Sequence, residues 1–399
     1  MGNHHVSPLV LIVLAHFSLI FGCAHSPEVT REEIRVALAQ QVAEVKILSP
    51  QSIRFKVFSE QRSHVESPLV VSPAGTGLMI NGTQHDADHM IIYGHSREGL
   101  TLSVKQHSSS QDATNWRVSG HLHISNQNAT LLIINKIDLE TYVAGVVSSE
   151  INPSWHPEAL KVQAVAARTY ALHKKTMNGH RAYDVVAGTQ DQVYHGWDGL
   201  NASVRNAVES TRRLIVTYDN APIFAAYSST AAGPTEDAFN VWSMDLPYLK
   251  GVECPFDEGS PRYRWQAHVP LKTIERQFRQ EGFAVGTIVT IAPYTYSRAG
   301  RVNQIRILHS QGVLQVRGQD FRRIIGYGKV LSTQFTVQRI GKDLVLEGKG
   351  SGHAVGLCQW GMKEMAELGY SYQAILSYYY PKTILMDRRV VNLEPPMTP

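Results

Sequence analysis

The stretch from residue 31 to about residue 125 constrains the fold most strongly, because it consists of short segments in which apolar and polar residues alternate. Gly, Ser, Asn or Pro separate the segments, which read EIRVALA, EVKILS, SIRFKVF, GLMING, HMIIYG, LTLSV and NWRVSGHLHIS. Alternation with a period of two residues is typical of strands that bury one face. The pattern predicts a β-rich N-terminal domain over residues 23–127.

The rest of the chain has a mixed pattern. A helix is predicted from Pro157 to about Lys175, because proline is tolerated in a first turn and most residues that follow are good helix formers. Further on, LIVTYDNAPIFAAYSS predicts a hairpin, LKTIERQFRQEG a basic helix, and GKGSGHAVGLCQWG a glycine-rich loop before two short helices. The sequence therefore predicts an α+β protein, with a mixed α/β domain over residues 128–395 and a β-rich subdomain over 265–345.

The charge of the chain argues against nucleic acid as a partner. The formal net charge is +4, and no run of five or six like charges occurs. A mild positive excess favours instead a local site for a polyanion or a carboxylate-bearing substrate.

The N-terminus predicts export. Residues 1–22 contain no Asp, Glu, Lys or Arg, and the apolar run LVLIVLAHFSLIFGC ends at Cys23. The run is shorter than a membrane-spanning helix and is typical of a signal peptide. Its IFGC ending resembles the lipobox of bacterial lipoproteins, which predicts lipidation of Cys23 and a lipid anchor in the cell envelope. An uncleaved anchor and a soluble secreted protein remain alternatives.

Neither a metal nor a cofactor is expected. His121 and His123 share a strand face without a third ligand nearby, and Cys254 is followed in CPFD by Asp257 where a second cysteine of a zinc motif would stand. The glycine-rich loop fits neither the dinucleotide-binding nor the P-loop pattern. Two cysteines beyond Cys23 permit a disulfide but do not make a disulfide scaffold.

Glu150 has two interpretations. It stands just before a proline-tryptophan turn and the predicted helix, on which Lys161 and Arg168 share one face. Glu150 is either the solvated end of an element, with the two cations as a solvated stripe, or a proton donor near a substrate-binding face. The residues alone leave both interpretations open.

Two other segments have the composition of a binding site. The segment YDVVAGTQDQVYHGW brings amides and aromatic rings together, including Gln192 and Tyr194, as a sugar site requires. His353 in the glycine-rich loop is either a site residue or a core histidine. Local packing is the alternative explanation for each of these segments, and it is the commoner one.

Three blocks of the sequence together resemble the SpoIID/LytB family. They are YVAGVVSSEINPSWHPEALKVQAVAARTYAL, the segment from YDVVAGTQDQVYHGW through AVESTRRLIVTYDNAPIFAAYSSTAAGPTEDAFNVW, and GKGSGHAVGLCQWGMKEMAELGYSYQAILSYYYP. They occur in the order of the family, over about residues 130–385. The resemblance implies a catalytic domain with a substrate cleft that acts on peptidoglycan glycan strands.

The resemblance also implies an activity and a set of site residues. The activity is that of a lytic transglycosylase, which cleaves strands freed of stem peptides. Glu150 matches the catalytic glutamate, and Lys161 and Arg168 match a cleft lysine and arginine. The further residues expected to line the cleft are Gln192, Tyr194, His353 and Gln359.

The implied mechanism makes a demand on Glu150. A general acid must begin protonated, so its pKa must be raised by burial, for which Trp155 and Tyr170 are candidates. Lys161 and Arg168 are therefore expected to bind substrate carboxylates rather than contact Glu150.

Two alternatives to this activity remain. The first is a non-catalytic peptidoglycan-binding lipoprotein that enhances a cell-wall amidase. The second is a hydrolase that uses Asp191 or Glu236 as a second carboxylate.

Overall fold

The computed structural model of the 399-residue chain describes residues 1–2, 32–60, 62–94, 99–106, 114–196 and 201–391. Residues 3–22 of the predicted signal segment and Cys23 lie outside the described residues. Strands and helices both contribute to the folded chain, with strands in excess, so the α+β prediction is confirmed.

A large sheet is built around one long strand. The strands of this sheet are β1 (Glu33–Leu48), β2 (Ile53–Val57), β3 (Ser63–Glu66), β4 (Leu69–Ala74), β5 (Gly77–Ile80), β6 (Thr83–His85), β7 (His89–Tyr93), β8 (Leu100–Gln106), β9 (Thr114–Val118), β10 (His121–Gln127), β11 (Thr130–Asp138) and β12 (Val185–Val186). Their order is β3-β2-β7-β10-β11-β1-β4-β5-β6, with β8 and β12 also paired to β1 and β9 paired to β8.

Strand β1 changes partners along its length. Its first half pairs with β11 and with β12, and its second half pairs with β4 and β8. The register with β11 shifts between Ala37 and Val42, and such bulges bend a strand. The predicted domain boundary at residues 127 and 128 falls inside the β10–β11 hairpin, so the sheet continues across it.

Helices α1 (Leu139–Glu150) and α2 (Pro157–Met177) follow β11 in the chain, and α3 (Ala202–Ser210) follows β12. The Asp138 carboxylate caps α1 by accepting from Thr141 N at 3.0 Å. Helix α2 begins at Pro157 as predicted, and it ends two residues beyond the predicted end. Its middle is buried on all sides, which is typical of a helix in the centre of a core.

The second half of the chain alternates short strands and helices. These elements are β13 (Leu214–Tyr218), β14 (Ala221–Pro222), β15 (Tyr227–Ser228), α4 (Ala238–Trp242), β16 (Arg264–Pro270), α5 (Leu271–Gln280), β17 (Ile288–Tyr296), β18 (Val302–His309), β19 (Gly312–Arg317), α6 (Gly318–Ile325), β20 (Phe335–Ile340), β21 (Asp343–Lys349), β22 (Leu357–Cys358), α7 (Gln359–Glu367), α8 (Tyr372–Tyr379), β23 (Ile384–Asp387) and a 3₁₀ helix (Arg388–Val390). The predicted hairpin, basic helix and final pair of helices are confirmed as β13–β14, α5, α7 and α8.

The described residues contain two main hydrophobic cores. The larger one runs from Ile34 to Val391 and joins the large sheet to α1, α2, α7 and α8. The second is built from residues 265–346, where α5 and α6 pack on the sheets β16-β21-β20 and β17-β18-β19. The catalytic candidate Glu150 belongs to the first of these regions.

A short parallel pairing positions the glycine-rich loop. Strand β15 pairs with β22, with Tyr227 opposite Leu357 and Ser228 opposite Cys358. Gly356 has φ +71°, and a Cβ there would lie 2.3 Å from Ala226 O, so glycine permits this close approach. The pairing places Tyr227 and the start of α7 side by side.

Candidate active site

Glu150 is the last residue of α1 and is half-buried. It is therefore at the negative end of a helix whose last turn has no basic residue. A helix C-terminus disfavours a negative charge. The local structure thus resists ionisation of Glu150.

Three donors from distant parts of the chain converge on the Glu150 carboxylate. Val193 N donates to Oε1 at 2.7 Å, and the Tyr227 hydroxyl donates to the same oxygen at 3.3 Å. Gln359 Nε2 donates to Oε2 at 3.3 Å. Both carboxylate oxygens are therefore held in defined positions, as a proton donor requires.

The pKa of Glu150 is raised above its ordinary value. Burial is the largest cause, and the hydrogen bonds from Val193, Gln359 and Tyr227 oppose it. The carboxyl group is thus closer to neutrality than an exposed glutamate, while three donors stand ready to stabilise its anion.

A chain of buried polar groups extends from Glu150 in two directions. On one side, Gln192 Nε2 donates to Tyr227 OH at 3.0 Å, and Tyr142 OH donates to Gln192 Oε1 at 3.2 Å. On the other side, Gln359 Nε2 lies 3.4 Å from Gln163 Oε1. These side chains fix the two donors that contact Glu150, because buried polar groups that bond one another have few alternative positions.

Other carboxylates of the region are held by their own partners. Asp191 accepts from Tyr170 OH at 2.8 Å and from Val186 N at 2.8 Å, and it pairs with Lys174 at 2.9 Å. Glu236 is buried and accepts from Asn240 Nδ2 at 2.8 Å. Among the described residues, neither carboxylate hydrogen-bonds to Glu150.

Lys161 lies on α2 but pairs locally. Its Nζ is 2.7 Å from Glu158 Oε1, and its side chain is 26% exposed. The Lys161 ammonium also lies 5.6 Å from the centre of the Tyr372 ring. Since about a quarter of the side chain is exposed, solvent reaches part of Lys161.

Arg168 occupies a different environment from Lys161, and its burial argues against the expectation that it binds substrate. Its side chain is fully buried and binds Glu140 through Nε at 3.0 Å and Nη2 at 2.6 Å. The remaining Nη1 donates to Leu214 O at 3.1 Å. With these donors engaged inside the protein, Arg168 has a structural role, and we do not propose it as a substrate ligand.

The expectation that neither cation contacts Glu150 agrees with the geometry. Within the described residues, neither Lys161 nor Arg168 pairs with Glu150, and neither contributes to the shift of its pKa. The two cations therefore do not oppose the raised pKa of Glu150.

The other expected cleft residues are buried to different degrees. Tyr194 is 1% exposed, and its ring packs 5.0 Å from that of Tyr142. This packing requires Gly145, where a Cβ would lie 2.5 Å from the Tyr194 ring. His353 is half-buried 4.8 Å from the Trp242 ring, and burial lowers its pKa to about 3. Neither Tyr194 nor His353 hydrogen-bonds to Glu150 in the described part of the chain.

Two half-buried indoles flank the start of α7. Trp155 and Trp360 meet edge to face with their centres 5.3 Å apart, and Trp360 follows Gln359 directly. The predicted contribution of Trp155 to an apolar wall stays a prediction. Tyr170 packs instead against Phe224 and Tyr227 at 5.5 and 6.5 Å.

The comparison with known families matches the segment that contains Glu150 and Val193. Residues 127–218 match the SpoIID family, described as Stage II sporulation protein. A protein of Brachyspira hyodysenteriae, itself uncharacterised, is 34% identical over 276 residues, which cover 69% of this chain and 74% of that protein. Stage II sporulation protein D of Bacillus amyloliquefaciens is 34% identical over 264 residues, which cover 62% and 74%. The chain belongs to the SpoIID family.

A third relative has a different name. The amidase enhancer of Bacillus subtilis is 30% identical to this SpoIID protein over 286 residues, which cover 60% of the chain and 40% of the relative.

Residues 243–356 match a separate domain of unknown function, and this match encloses the second hydrophobic core. The predicted family is thus confirmed.

Three groups in the SpoIID site were not singled out from the sequence: Tyr227, the Val193 amide and Gln163. Tyr227 lies in the quoted segment AAYSSTAAG, whose short strand β15 gave no strong periodic signal. A backbone amide leaves no signal in a sequence at all. Gln163 was hidden because it lies on the buried side of α2, between apolar residues.

The described residues also contain one group with the donor set of a metal site: Cys254, Asp257 and Cys358, all buried. None of these side chains hydrogen-bonds to Glu150 in the described structure. The group was not predicted, because Asp257 and Cys358 are 101 residues apart.

Proposed function

We propose that this SpoIID protein is a lytic transglycosylase that cleaves peptide-free glycan strands of peptidoglycan and leaves 1,6-anhydro ends. Glu150 acts first as the acid and then as the base. The observation that carries the proposal is the state of Glu150, whose pKa is raised by burial while three donors hold its oxygens.

The family sets the general context. SpoIID proteins are associated with the cell wall, and the name of one relative refers to an amidase, an enzyme class of the cell wall. Peptidoglycan is therefore the substrate class that we propose.

The chemistry needs only one carboxyl group. Glu150 donates its proton to the glycosidic oxygen as the bond from that oxygen to C1 breaks. The substrate's own C6 hydroxyl then forms a bond to C1 and returns its proton to the Glu150 carboxylate. A hydrolase would need a second carboxylate to activate water, but Asp191 and Glu236 bond to other partners.

The three donors stabilise the anion that exists between the two proton transfers. The Val193 amide, the Tyr227 hydroxyl and the Gln359 amide contact the carboxylate oxygens, which become negatively charged when the proton leaves. Preorganised donors at a site of developing charge lower the barrier. The proposal therefore assigns Tyr227 and Gln359 to positioning and electrostatic stabilisation.

Substrate contacts are proposed for side chains that solvent can reach. Peptide-free strands carry lactyl carboxylates, for which the partly exposed Lys161 is a suitable partner. The half-buried Trp155 and Trp360 offer apolar surface for sugar rings. Gln192, Tyr194 and His353 are proposed to shape the site from behind it.

The second candidate is a non-catalytic protein that binds peptidoglycan and enhances an amidase. The relative named amidase enhancer favours it. A binding protein has no need for a buried carboxyl group with a raised pKa, so the geometry favours the enzyme. A cell-wall amidase remains a proposed partner in either case.

We also propose that the protein is exported and held in the cell envelope by lipid on Cys23. None of the helices in the described residues is long and apolar enough to cross a membrane. In this proposal the membrane is contacted through the lipid.

Replacement of Glu150 by glutamine tests the function. On peptide-free strands, Glu150→Gln should lower the rate of anhydro-end formation by at least about 10²-fold while strand binding is retained. The matched control is Glu209→Gln, since Glu209 is 70% exposed and pairs only with Arg212 in the described structure. Equal activity of Glu150→Gln and the control would refute the assignment, and absence of activity in the unaltered protein would favour the enhancer.

A further inference from the structure

The sheet β17-β18-β19 covers the second hydrophobic core with only one of its two faces. Inward side chains such as Ile305 and Ile307 are buried there against α5 and α6. The alternate residues point the other way. Arg306 is exposed and lies opposite Ala292 on β17 and Gln315 on β19, which are exposed as well. This exposed side is the open face of the sheet.

The open face carries apolar surface among its polar groups. Tyr294 is 47% exposed, and Leu308 and Val313 form an exposed pair across β18 and β19. A second ring, that of Tyr296, follows two residues after Tyr294 and is 58% exposed. Apolar surface that is left in contact with water beside polar groups is typical of a binding surface.

Arg306 is fixed on this face without an acidic partner. Its guanidinium lies over the Tyr294 ring, with Cζ 4.1 Å from the ring centre. Among the described residues no carboxylate pairs with Arg306, whereas Arg317 on the same face pairs with Asp320 at 2.8 Å. A guanidinium stacked on a ring keeps N–H groups at its edge, and these fit a planar carboxylate. Arg306 is therefore oriented for an anionic ligand.

The part of the chain that contains the open face is strongly basic. Residues 264–349 include 14 Lys and Arg but only 5 Asp and Glu, which gives a net charge of +9. Since the whole chain has a net charge of +4, the remaining residues carry −5. The positive charge is thus concentrated in the region of the second core, where it attracts anionic polymers.

The chemistry of the open face fits a carboxylate-bearing glycan better than a membrane. Sugar rings present apolar faces to aromatic side chains such as Tyr294, and their hydroxyl and acetamido groups bond to amides such as Gln315. A lactyl carboxylate suits Arg306. A membrane-binding surface separates its apolar residues from its charged ones, but on the open face the two kinds are interspersed.

The end of β17 is attached to the half of the chain that carries the candidate active site. Ser297 Oγ donates to the Glu236 carboxylate, and Glu236 N donates to Ala354 O at 2.8 Å. Arg301 Nη2 donates to Pro234 O at 3.2 Å. A ligand held on the sheet is therefore held by an element that is bonded to the catalytic half.

We propose that the open face is a second glycan-binding surface, on which Tyr294 packs against a sugar ring and Arg306 binds a lactyl carboxylate of a peptide-free strand. The identity of this ligand rests on the proposed function. The binding itself does not require cleavage, since neither Tyr294 nor Arg306 hydrogen-bonds to Glu150 in the described structure. The surface holds a long strand while Glu150 acts on another part of it.

Binding of long peptide-free glycan strands to the tag-free full chain tests the surface. The measurements use the Glu150→Gln background, so that strands are bound without turnover. Tyr294→Ala and Arg306→Gln should each weaken strand binding by about 5-fold or more. Circular dichroism checks the fold of each variant, and Arg306→Gln decides the matter if Tyr294→Ala does not fold.

Two controls match these variants. Tyr327→Ala removes a ring that is 54% exposed and also lies near an arginine, with Arg322 Cζ 4.7 Å from the ring centre, but it follows α6 on the core side of the sheet. Arg276→Gln removes one exposed positive charge from α5. Both controls should bind strands as the Glu150→Gln protein does.

Two further ligands separate the contributions of the face. Chitin oligosaccharides have similar sugar rings without lactyl groups, so Tyr294→Ala should weaken their binding and Arg306→Gln should not. Vesicles of phosphatidylglycerol should not compete with glycan strands. Competition by these vesicles that Tyr294→Ala abolishes would overturn the proposal and favour a lipid surface.

Unchanged strand binding by Tyr294→Ala and Arg306→Gln would also overturn the proposal, as would an equal loss in Arg276→Gln. This failure is distinct from failure of the proposed function. If the unaltered protein cleaves strands but the open-face variants bind them normally, only the second surface is refuted. If it cleaves no strands but binds them through Tyr294 and Arg306, the second surface stands and the activity is refuted.

Discussion

Gln359 Nε2 lies 3.3 Å from Glu150 Oε2, although the two residues are 209 positions apart in the chain. The contact joins the end of α1 to the start of α7. It depends on the parallel pairing of β15 with β22, which brings the glycine-rich loop beside Tyr227. The last third of the chain therefore contributes one of the three donors that position the carboxyl group of the candidate acid.

Replacement of Gln359 by methionine should move the pH profile. The Gln359 amide lowers the pKa of Glu150, so its removal should raise that pKa further. Because the acid works when protonated, the alkaline limb of kcat/KM should shift to higher pH. The rate at the optimum should fall by about 10²-fold because one donor to the anion is lost. Gln373→Met on the exposed side of α8 is the control, and an unshifted limb would contradict the role of Gln359.

Replacement of Tyr227 by phenylalanine should affect both the pH profile and stability. The variant removes a donor to Glu150. It also removes one of the two acceptors of Gln192 Nε2, which then keeps only Ala167 O at 3.4 Å. An unsatisfied buried amide costs about 1–3 kcal/mol, which urea denaturation would measure. Tyr380→Phe is the control, since it removes a hydroxyl that bonds to Ala226 O at 2.9 Å. If both variants lose stability but neither moves the pH profile, Tyr227 does not act on Glu150.

The Glu150→Gln variant should be more stable than the unaltered protein at neutral pH. The pKa of Glu150 in the folded chain is above the ordinary value of 4.5, so ionisation favours the unfolded state. This loss of stability sets in as the pH rises through the raised pKa, and it is absent below 4.5. A neutral glutamine avoids the loss, and the Gln359 amide can rotate to accept its N–H.

Thermal denaturation across pH checks this expectation. The difference in Tm between Glu150→Gln and the unaltered protein should be positive at neutral pH and shrink as the pH falls. The exposed Glu209→Gln variant should show no such trend. A variant that is less stable at neutral pH and equal in acid would mean that the pKa of Glu150 is lowered.

Replacement of Arg168 by methionine should destabilise the fold rather than weaken substrate binding. It leaves the half-buried Glu140 carboxylate without its charged partner, and the loss of one member of a buried pair costs about 3–5 kcal/mol. The additional change Glu140→Leu should restore part of the stability. Urea denaturation of both variants measures these effects. A stable Arg168→Met protein with weak strand binding would return Arg168 to the substrate site.

Local sequence signals predicted the elements that local chemistry determines. Pro157 and the residues after it specified the start of α2, and the Asp219–Asn220 turn of the β13–β14 hairpin adopts the positive φ values that such turns require. The motif SSE, through its family resemblance, pointed to Glu150. These features depend on residues that are neighbours in the sequence.

Long-range contacts account for what the sequence did not reveal. The spacing of Lys161 and Arg168 places them on one helical face, but Arg168 binds Glu140, 28 residues before it, inside the core. Tyr227 contacts Glu150 across 77 positions of the chain. The partner of Cys254 and Asp257 is likewise a residue of the distant glycine-rich loop. The spacing of residues along the chain carries no information about such long-range contacts.

The fate of the solvent oxygen tests the central claim most directly. The unaltered protein is incubated with peptide-free glycan strands in water labelled with heavy oxygen, and the fragments are analysed by mass spectrometry. Attack by the C6 hydroxyl predicts fragments with 1,6-anhydro ends that carry no label. Labelled reducing ends would contradict the account by showing hydrolysis, and the absence of fragments would show that Glu150 does not cleave these strands.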